Sequence, residues 1–212
     1  MFLNVWQQTS DFVSSLRSKP IWTLKDTKMR YFLKRIRKEW KAIQKEAIHL
    51  INQRLFMDGT QKHLTDTGAW HVFFLYLVGD QIKDNCARAP ITCGLIKDIP
   101  QITDNVKGSV LFSLMESGTH VHPHSGISNS KLRVHLGLDV PIALNGTDVA
   151  NKSISRLRVK DEYITWKNGE MVIWDDSFDH EVWHYHPLNH SRLILIFDIL
   201  HPDLTEHQIA TL

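Results

Sequence analysis

The chain has 212 residues, of which 42% are hydrophobic and 23% charged. That balance excludes a disordered chain, and the length fits one domain of about 100–200 residues. The net charge of +2 is too small to argue for nucleic acid, and no such partner is expected.

Residues 1–26 mix Trp6, Phe12, Pro20 and Trp22 with polar residues and read as a short helix or irregular lead-in. Met1–Leu16 lacks a signal-peptide core. No apolar run reaches the ~18 residues of a membrane span. The expectation is a soluble chain without a membrane span. It would be cytoplasmic by its lack of a signal sequence, or lumenal in the endoplasmic reticulum if an upstream anchor exists.

From Lys28 to Leu55 the apolar positions Phe32, Ile36, Trp40, Ile43, Ala47, Ile51 and Leu55 recur at spacings of three and four. That predicts one amphipathic helix, with Asp26 or Thr27 as its N-cap. Lys34, Arg35, Arg37, Lys38, Lys41 and Lys45 form its other, solvated face.

After Gly59 the texture becomes β. Val72–Val78, Ser109–Met115, Leu132–Leu138, Ile154–Val159, Met171–Trp174 and Leu193–Leu200 read as strands separated by Gly, Pro, Asn and Asp. Many short strands with turn signals predict a mainly-β barrel or jelly roll. Residues 1–60 are expected to form a helical lead-in and 61–212 the core, together one structural domain.

Cys86 and Cys93 could close a small loop around Pro90; reduced, half-buried thiols are the expectation for a cytosolic chain. Sequons at Asn145, Asn151 and Asn189 tilt slightly towards a secretory compartment.

Thirteen histidines stand out, clustered at 120, 122, 124 and 135 and again at 180, 184, 186 and 190. Three stretches look metal-like. His180-Glu-Val-Trp-His184 satisfies the H-E-x-x-H pattern of zinc proteases, which needs both histidines on one face of a helix. Its surroundings read as strands, with Pro187 close behind. His201-Pro-Asp203 matches two legs of an iron facial triad but follows a strand, as a turn or cap would. In Thr119-His-Val-His-Pro-His-Ser-Gly126, an extended chain would put His120, His122 and His124 on one face. They would bind zinc together, divide into one ligand and two supports, or simply decorate an exposed strand.

Arg133 and His135 share a strand face, and Arg192 opens an apolar strand. A buried arginine needs an anion, and its planar fork suits a carboxylate. That anion is either a structural partner such as Asp175, Asp176 or Asp198, or an acidic co-substrate.

Taken together, Phe112–Gly126, Leu132–Leu138, Trp174–Trp183 and Arg192–Thr205 resemble the aspartyl/asparaginyl β-hydroxylase family. The likeness extends loosely over residues 20–206. It implies a double-stranded β-helix (jelly roll) using Fe(II), 2-oxoglutarate and O2 to hydroxylate the β-carbon of Asp or Asn in a protein substrate, epidermal growth factor-like domains among them. His124 and His180 would be the catalytic pair and the metal ligands. Gly126 stands where a carboxylate ligand usually sits, so Gly126→Asp is expected to restore one geometrically. Ser113, Arg133, His135 and Arg192 would bind 2-oxoglutarate. Asp175, Asp176 and Glu181 would orient an imidazole or water from behind. The resemblance also places Cys86 and Cys93 near the substrate entrance, able to pair in secretory members. The alternatives are a non-catalytic binding module that keeps the fold, and a zinc hydrolase working through His180 and His184.

Overall fold

The computed structural model describes residues 9–59, 64–141 and 155–212. Asn145, Asn151 and the start of the strand predicted from Ile154 lie outside them.

Two antiparallel sheets carry the fold. The eight-stranded sheet runs β1 (Ile21–Trp22), β11 (Met171–Trp174), β8 (Lys131–Asp139), β13 (Arg192–Leu200), β6 (Ser109–Met115), β4 (Trp70–Leu77), β2 (Met57–Asp58), with β5 (Asp80–Gln81) beside β4. The five-stranded sheet runs β10 (Glu162–Ile164), β9 (Ser155–Val159), β12 (His180–His184), β7 (Thr119–His124), β3 (Thr65–Thr67). From β6 onward the chain crosses repeatedly between the sheets, which makes the architecture a double-stranded β-helix.

The continuous apolar run of β13 follows from its central place. Leu193, Leu195, Phe197 and Ile199 face a core shared with the helices, while Ile194 and Ile196 face a second core between the sheets. A strand covered on both sides loses the polar alternation of a half-exposed one.

The helices differ from the sequence reading in three ways. The expected single helix is two, α1 (Arg30–Lys38) and α2 (Trp40–Asn52), broken at Glu39. The break lets each piece press its own stripe onto the sheet: Leu33 and Ile36 from one, Ile43, Ala47 and Leu50 from the other. A periodicity that continues through the break hides it. Neither expected cap caps α1. Thr27 Oγ1 accepts the Met29 N–H just before the helix, and Asp26 is taken by Thr23 and Lys19. Finally, α3 (Lys83–Arg88), α4 (Pro90–Ile96) and α5 (Pro100–Thr103) interrupt what read as β texture. Prolines open the last two, where a missing N–H costs nothing. Glu46 on α2 accepts the backbone N–H groups of Ile91 and Thr92 at 2.6 and 2.9 Å, tying α4 to α2. Among the described residues no helix is long and apolar enough to cross a membrane.

Cys86 and Cys93 are joined, not reduced. The break at Ala89 folds α3 against α4 and brings their Cα atoms to 5.6 Å, within bridging range. Both sulfurs lie in the helix-side core rather than in the cleft between the sheets. Closing so short a loop removes denatured-state entropy worth about 2 kcal/mol. Replacing both cysteines by alanine should lower the unfolding free energy by about that much in urea titrations, leaving the fold intact.

Candidate active site

The site begins with a fault in the small sheet. Strand β7 pairs with β12 through Val121 opposite Val182 and His124 opposite His180. Three steps on β7 therefore match two on β12, so β7 carries a bulge at His122–Pro123. Bulges re-aim side chains. Before it, Val121 points inward and His120 and His122 outward; after it, His124 points inward to meet His180, ring centroids 4.0 Å apart. The expectation that His120, His122 and His124 share a face fails for this reason. His120 instead stacks on Trp183 at 5.3 Å and bonds Glu181 at 2.7 Å on the opposite face.

The two inward imidazoles are held alike. The Nδ1 of His124 donates to the His122 carbonyl and the Nδ1 of His180 to the Phe178 carbonyl, each at 2.8 Å. A carbonyl only accepts, so each neutral ring carries its proton on Nδ1 and keeps a lone pair on Nε2. Burial lowers both pKa values, that of His180 further, with its neighbour His124 adding to the effect. Two neutral rings, each fixed by a backbone carbonyl, are a donor set suited to a divalent transition metal.

These rings open onto a narrow cleft between the sheets. Ser113, Arg133, His135 and Arg192 line the same cleft, so the fold gathers all six predicted site residues in one place. They arrive from five strands: β6, β7, β8, β12 and β13. Trp70, Trp174, Val121, Val182 and Ile196 supply apolar wall.

The two arginines differ sharply. Arg133 is already answered, by a fork onto Asp198 at 2.9 and 3.1 Å and by Asp176 at 3.1 Å. Burial would lower its pKa, but Asp176 and Asp198 outweigh it and raise it. The structural pairing considered from sequence is therefore real for this residue. Arg192 is 2% exposed, and its Nε and Nη1 have no hydrogen-bond partner among the described residues. Burial alone pushes its pKa down to about 9. His135 is similar: Nδ1 accepts the Trp166 indole N–H at 3.1 Å, and the buried Nε2 has no partner among the described residues. The Trp174 indole nitrogen is also unmet. Buried donors normally find acceptors. Here three lining residues present N–H groups for which no described residue supplies an acceptor.

A family profile described as "Aspartyl/Asparaginyl beta-hydroxylase" matches residues 37–202. The chain belongs to the aspartyl/asparaginyl β-hydroxylase family. It is 36% identical over 213 residues to the human aspartyl/asparaginyl beta-hydroxylase, covering all of this chain and 26% of that protein. It is 33% identical over 138 residues to the ornithine lipid ester-linked acyl 2-hydroxylase of Rhizobium tropici, covering 65% of this chain and 43% of that one. The chain thus spans about a quarter of the human relative's length. A solved Pseudomonas putida prolyl-4-hydroxylase overlays with a TM-score of 0.47 at 13% identity, over 78% of this chain and 87% of that one.

Within this β-hydroxylase-family fold the remaining motifs resolve. His180 and His184 sit on a strand, not a helix. Four residues of strand separate them by ~13 Å, so they cannot share an ion, and the zinc-hydrolase alternative falls. His184 instead bonds Ser155 Oγ and the His190 carbonyl at 2.7 and 2.8 Å. His201-Pro-Asp203 is a turn: His201 bonds the Arg17 carbonyl, and Asp203 pairs with the Arg17 side chain. Of the three acids expected to orient the metal site, Glu181 faces away, paired with His120 and Arg158. Asp175 accepts from Ser177, and burial raises its pKa to about 7. Asp176 lies against Gly126. Sequence reasoning missed Trp70, Trp166 and Trp174, because which indole reaches which partner is decided between elements far apart in the chain. The one hint is the general need of a buried indole N–H for an acceptor.

Gly126 donates its N–H to the Asp176 carbonyl at 2.6 Å. A Cβ there would come within 2.7–2.8 Å of the Asp176 carboxylate. That carboxylate is held by Lys131 at 2.6 Å and by Arg133. Burial would raise its pKa, but the two cations prevail and lower it. The absent side chain therefore makes room for Asp176, and Gly126→Asp would not simply add a ligand: it would push one carboxylate into another. Even Gly126→Ala should destabilise the protein, by roughly 1–3 kcal/mol in chemical denaturation. A neutral result would mean that Asp176 is free to move.

Proposed function

We propose that the chain is an Fe(II)- and 2-oxoglutarate-dependent oxygenase that hydroxylates the β-carbon of aspartyl or asparaginyl residues in a protein substrate. The carrying observation is the unmet donor set of Arg192 and His135 in the same cleft as two imidazoles with free Nε2 lone pairs. A dicarboxylate that spans from a metal to a buried arginine supplies what both ends lack. Family membership supports the same reading.

Iron(II) held by His124 and His180 supplies the redox chemistry with which 2-oxoglutarate and O2 oxidise an unactivated carbon. The protein's part is binding and orientation. Arg192 takes the distal carboxylate in its fork, aided by the hydroxyl of Ser113, whose oxygen already accepts the Trp70 indole N–H at 2.9 Å. At the metal end, His135 offers its Nε2–H. Arg133 contributes its remaining N–H groups and a positive charge held in place by Asp198. Val121, Val182 and Ile196 keep water from the carbon chain of the co-substrate.

The test is to incubate pure protein with Fe(II), ascorbate, 2-oxoglutarate and peptides bearing Asp or Asn. The peptide should gain one oxygen atom as succinate forms. His180→Ala and His124→Ala should each reduce turnover by about 100-fold or more, with His184→Ala far milder. Failure to bind iron, with no turnover on any peptide, would sink the reading.

A further inference from the structure

We infer that Trp166 is the positioning residue of this cleft: its ring carries the Arg192 guanidinium, and its N–H fixes which nitrogen of His135 faces the ligand. The inference rests on the oxygenase reading above, because it concerns how the co-substrate's carboxylates are met.

Trp166 lies in the turn between β10 and β11 and is 4% exposed. The Arg192 guanidinium carbon stands 4.3 Å from the centroid of its ring. A guanidinium laid over an aromatic face keeps its N–H groups at its edges, pointing in its own plane. The ring therefore orients and stabilises the cation without consuming a donor. That is the arrangement observed, with Arg192 Nε and Nη1 unmet.

The other edge of the same side chain sets His135. An indole nitrogen only donates. Its bond to His135 Nδ1 at 3.1 Å therefore requires that nitrogen to be unprotonated, and the single imidazole proton resides on Nε2. Nε2 is the buried atom that lacks a partner. His135 thus has the opposite tautomer to His124 and His180, whose Nδ1 atoms donate to carbonyls. Metal ligands need a free Nε2 lone pair, and a carboxylate needs an Nε2 proton. One indole between His135 and Arg192 separates the two kinds of histidine in a single cleft.

The turn is fastened to β8, the strand that bears Arg133 and His135. Gly169 donates to the Gly137 carbonyl at 2.9 Å, Gly137 to the Glu170 carbonyl at 3.1 Å, and Val140 to Asn168 Oδ1 at 2.7 Å. A side chain at 137 would run into the Lys167 carbonyl, so Gly137 permits the approach that seats Trp166.

Two substitutions separate the roles. Trp166→Phe keeps a ring under Arg192 and removes the N–H; Trp166→Leu removes both. The readouts are calorimetric binding of 2-oxoglutarate to protein holding Mn(II), and the His135 tautomer from imidazole nitrogen chemical shifts in metal-free protein. Wild type should show His135 protonated on Nε2. Trp166→Phe should lose that fixed tautomer and bind 2-oxoglutarate about tenfold more weakly. Trp166→Leu should bind it ~100-fold more weakly. In turnover, the KM for 2-oxoglutarate should rise while kcat at saturation changes little. A lower melting temperature with unchanged 2-oxoglutarate affinity in both variants would overturn the inference, as would a wild-type His135 protonated on Nδ1. Wild-type protein that fails to bind 2-oxoglutarate would overturn the oxygenase reading itself, and this inference with it.

Discussion

Between the two sheets the Arg192 guanidinium is buried to 2% exposure, with two of its nitrogens unmet among the described residues. A buried charge without a counter-ion ordinarily costs several kcal/mol, and the Trp166 ring beneath Arg192 offsets only part of that. The neighbouring Arg133 shows what the protein does with a cation it intends to keep for itself. Asp198 receives it in a fork, and Asp176 takes a further bond while also holding Lys131. One arginine has its carboxylates built in, and the other leaves two nitrogens without a partner among the described residues. That difference says more about the cleft than any single motif does.

The rest of the architecture serves the same purpose. The cleft's polar groups stand on strands, whose backbone bonds fix them more firmly than loops would. The small sheet contributes two imidazoles only because one extra residue in β7 turns His124 inward. The large sheet contributes Arg192, Ser113 and His135, on three adjacent strands. The disulfide and the helices belong to the outer core, packed on the large sheet away from the cleft.

Much of this was legible in the sequence, and for reasons that can be named. The strand predictions succeeded where apolar runs were long or alternated, as in Ser109–Met115 and Met171–Trp174. The family resemblance picked out six residues that the fold brings to one cleft. What stayed hidden was relational. A bulge leaves no mark in a single strand's sequence, so His120, His122 and His124 looked equivalent. The break at Glu39 keeps the helical period on both sides. Pro90 and Pro100, read as turn signals, open helices. Gly126 looked like a deleted ligand and is also a contact surface for Asp176. Trp166 carried no signal, because its meaning depends on Arg192 and His135 meeting it from two other strands.

Replacing Arg192, whose Nε and Nη1 have no partner among the described residues, tests whether the cleft is shaped for an anion. Thermal unfolding of wild type and Arg192→Met, each with and without 2-oxoglutarate in the presence of Mn(II), separates stability from recognition. On the anion reading, unliganded Arg192→Met should melt at or above wild type, because a buried charge without a counter-ion has been exchanged for an apolar side chain of similar length. On the same reading, 2-oxoglutarate should stabilise wild type and not the variant. A variant that melts well below wild type yet is still stabilised by 2-oxoglutarate would contradict it, and would make Arg192 a structural residue.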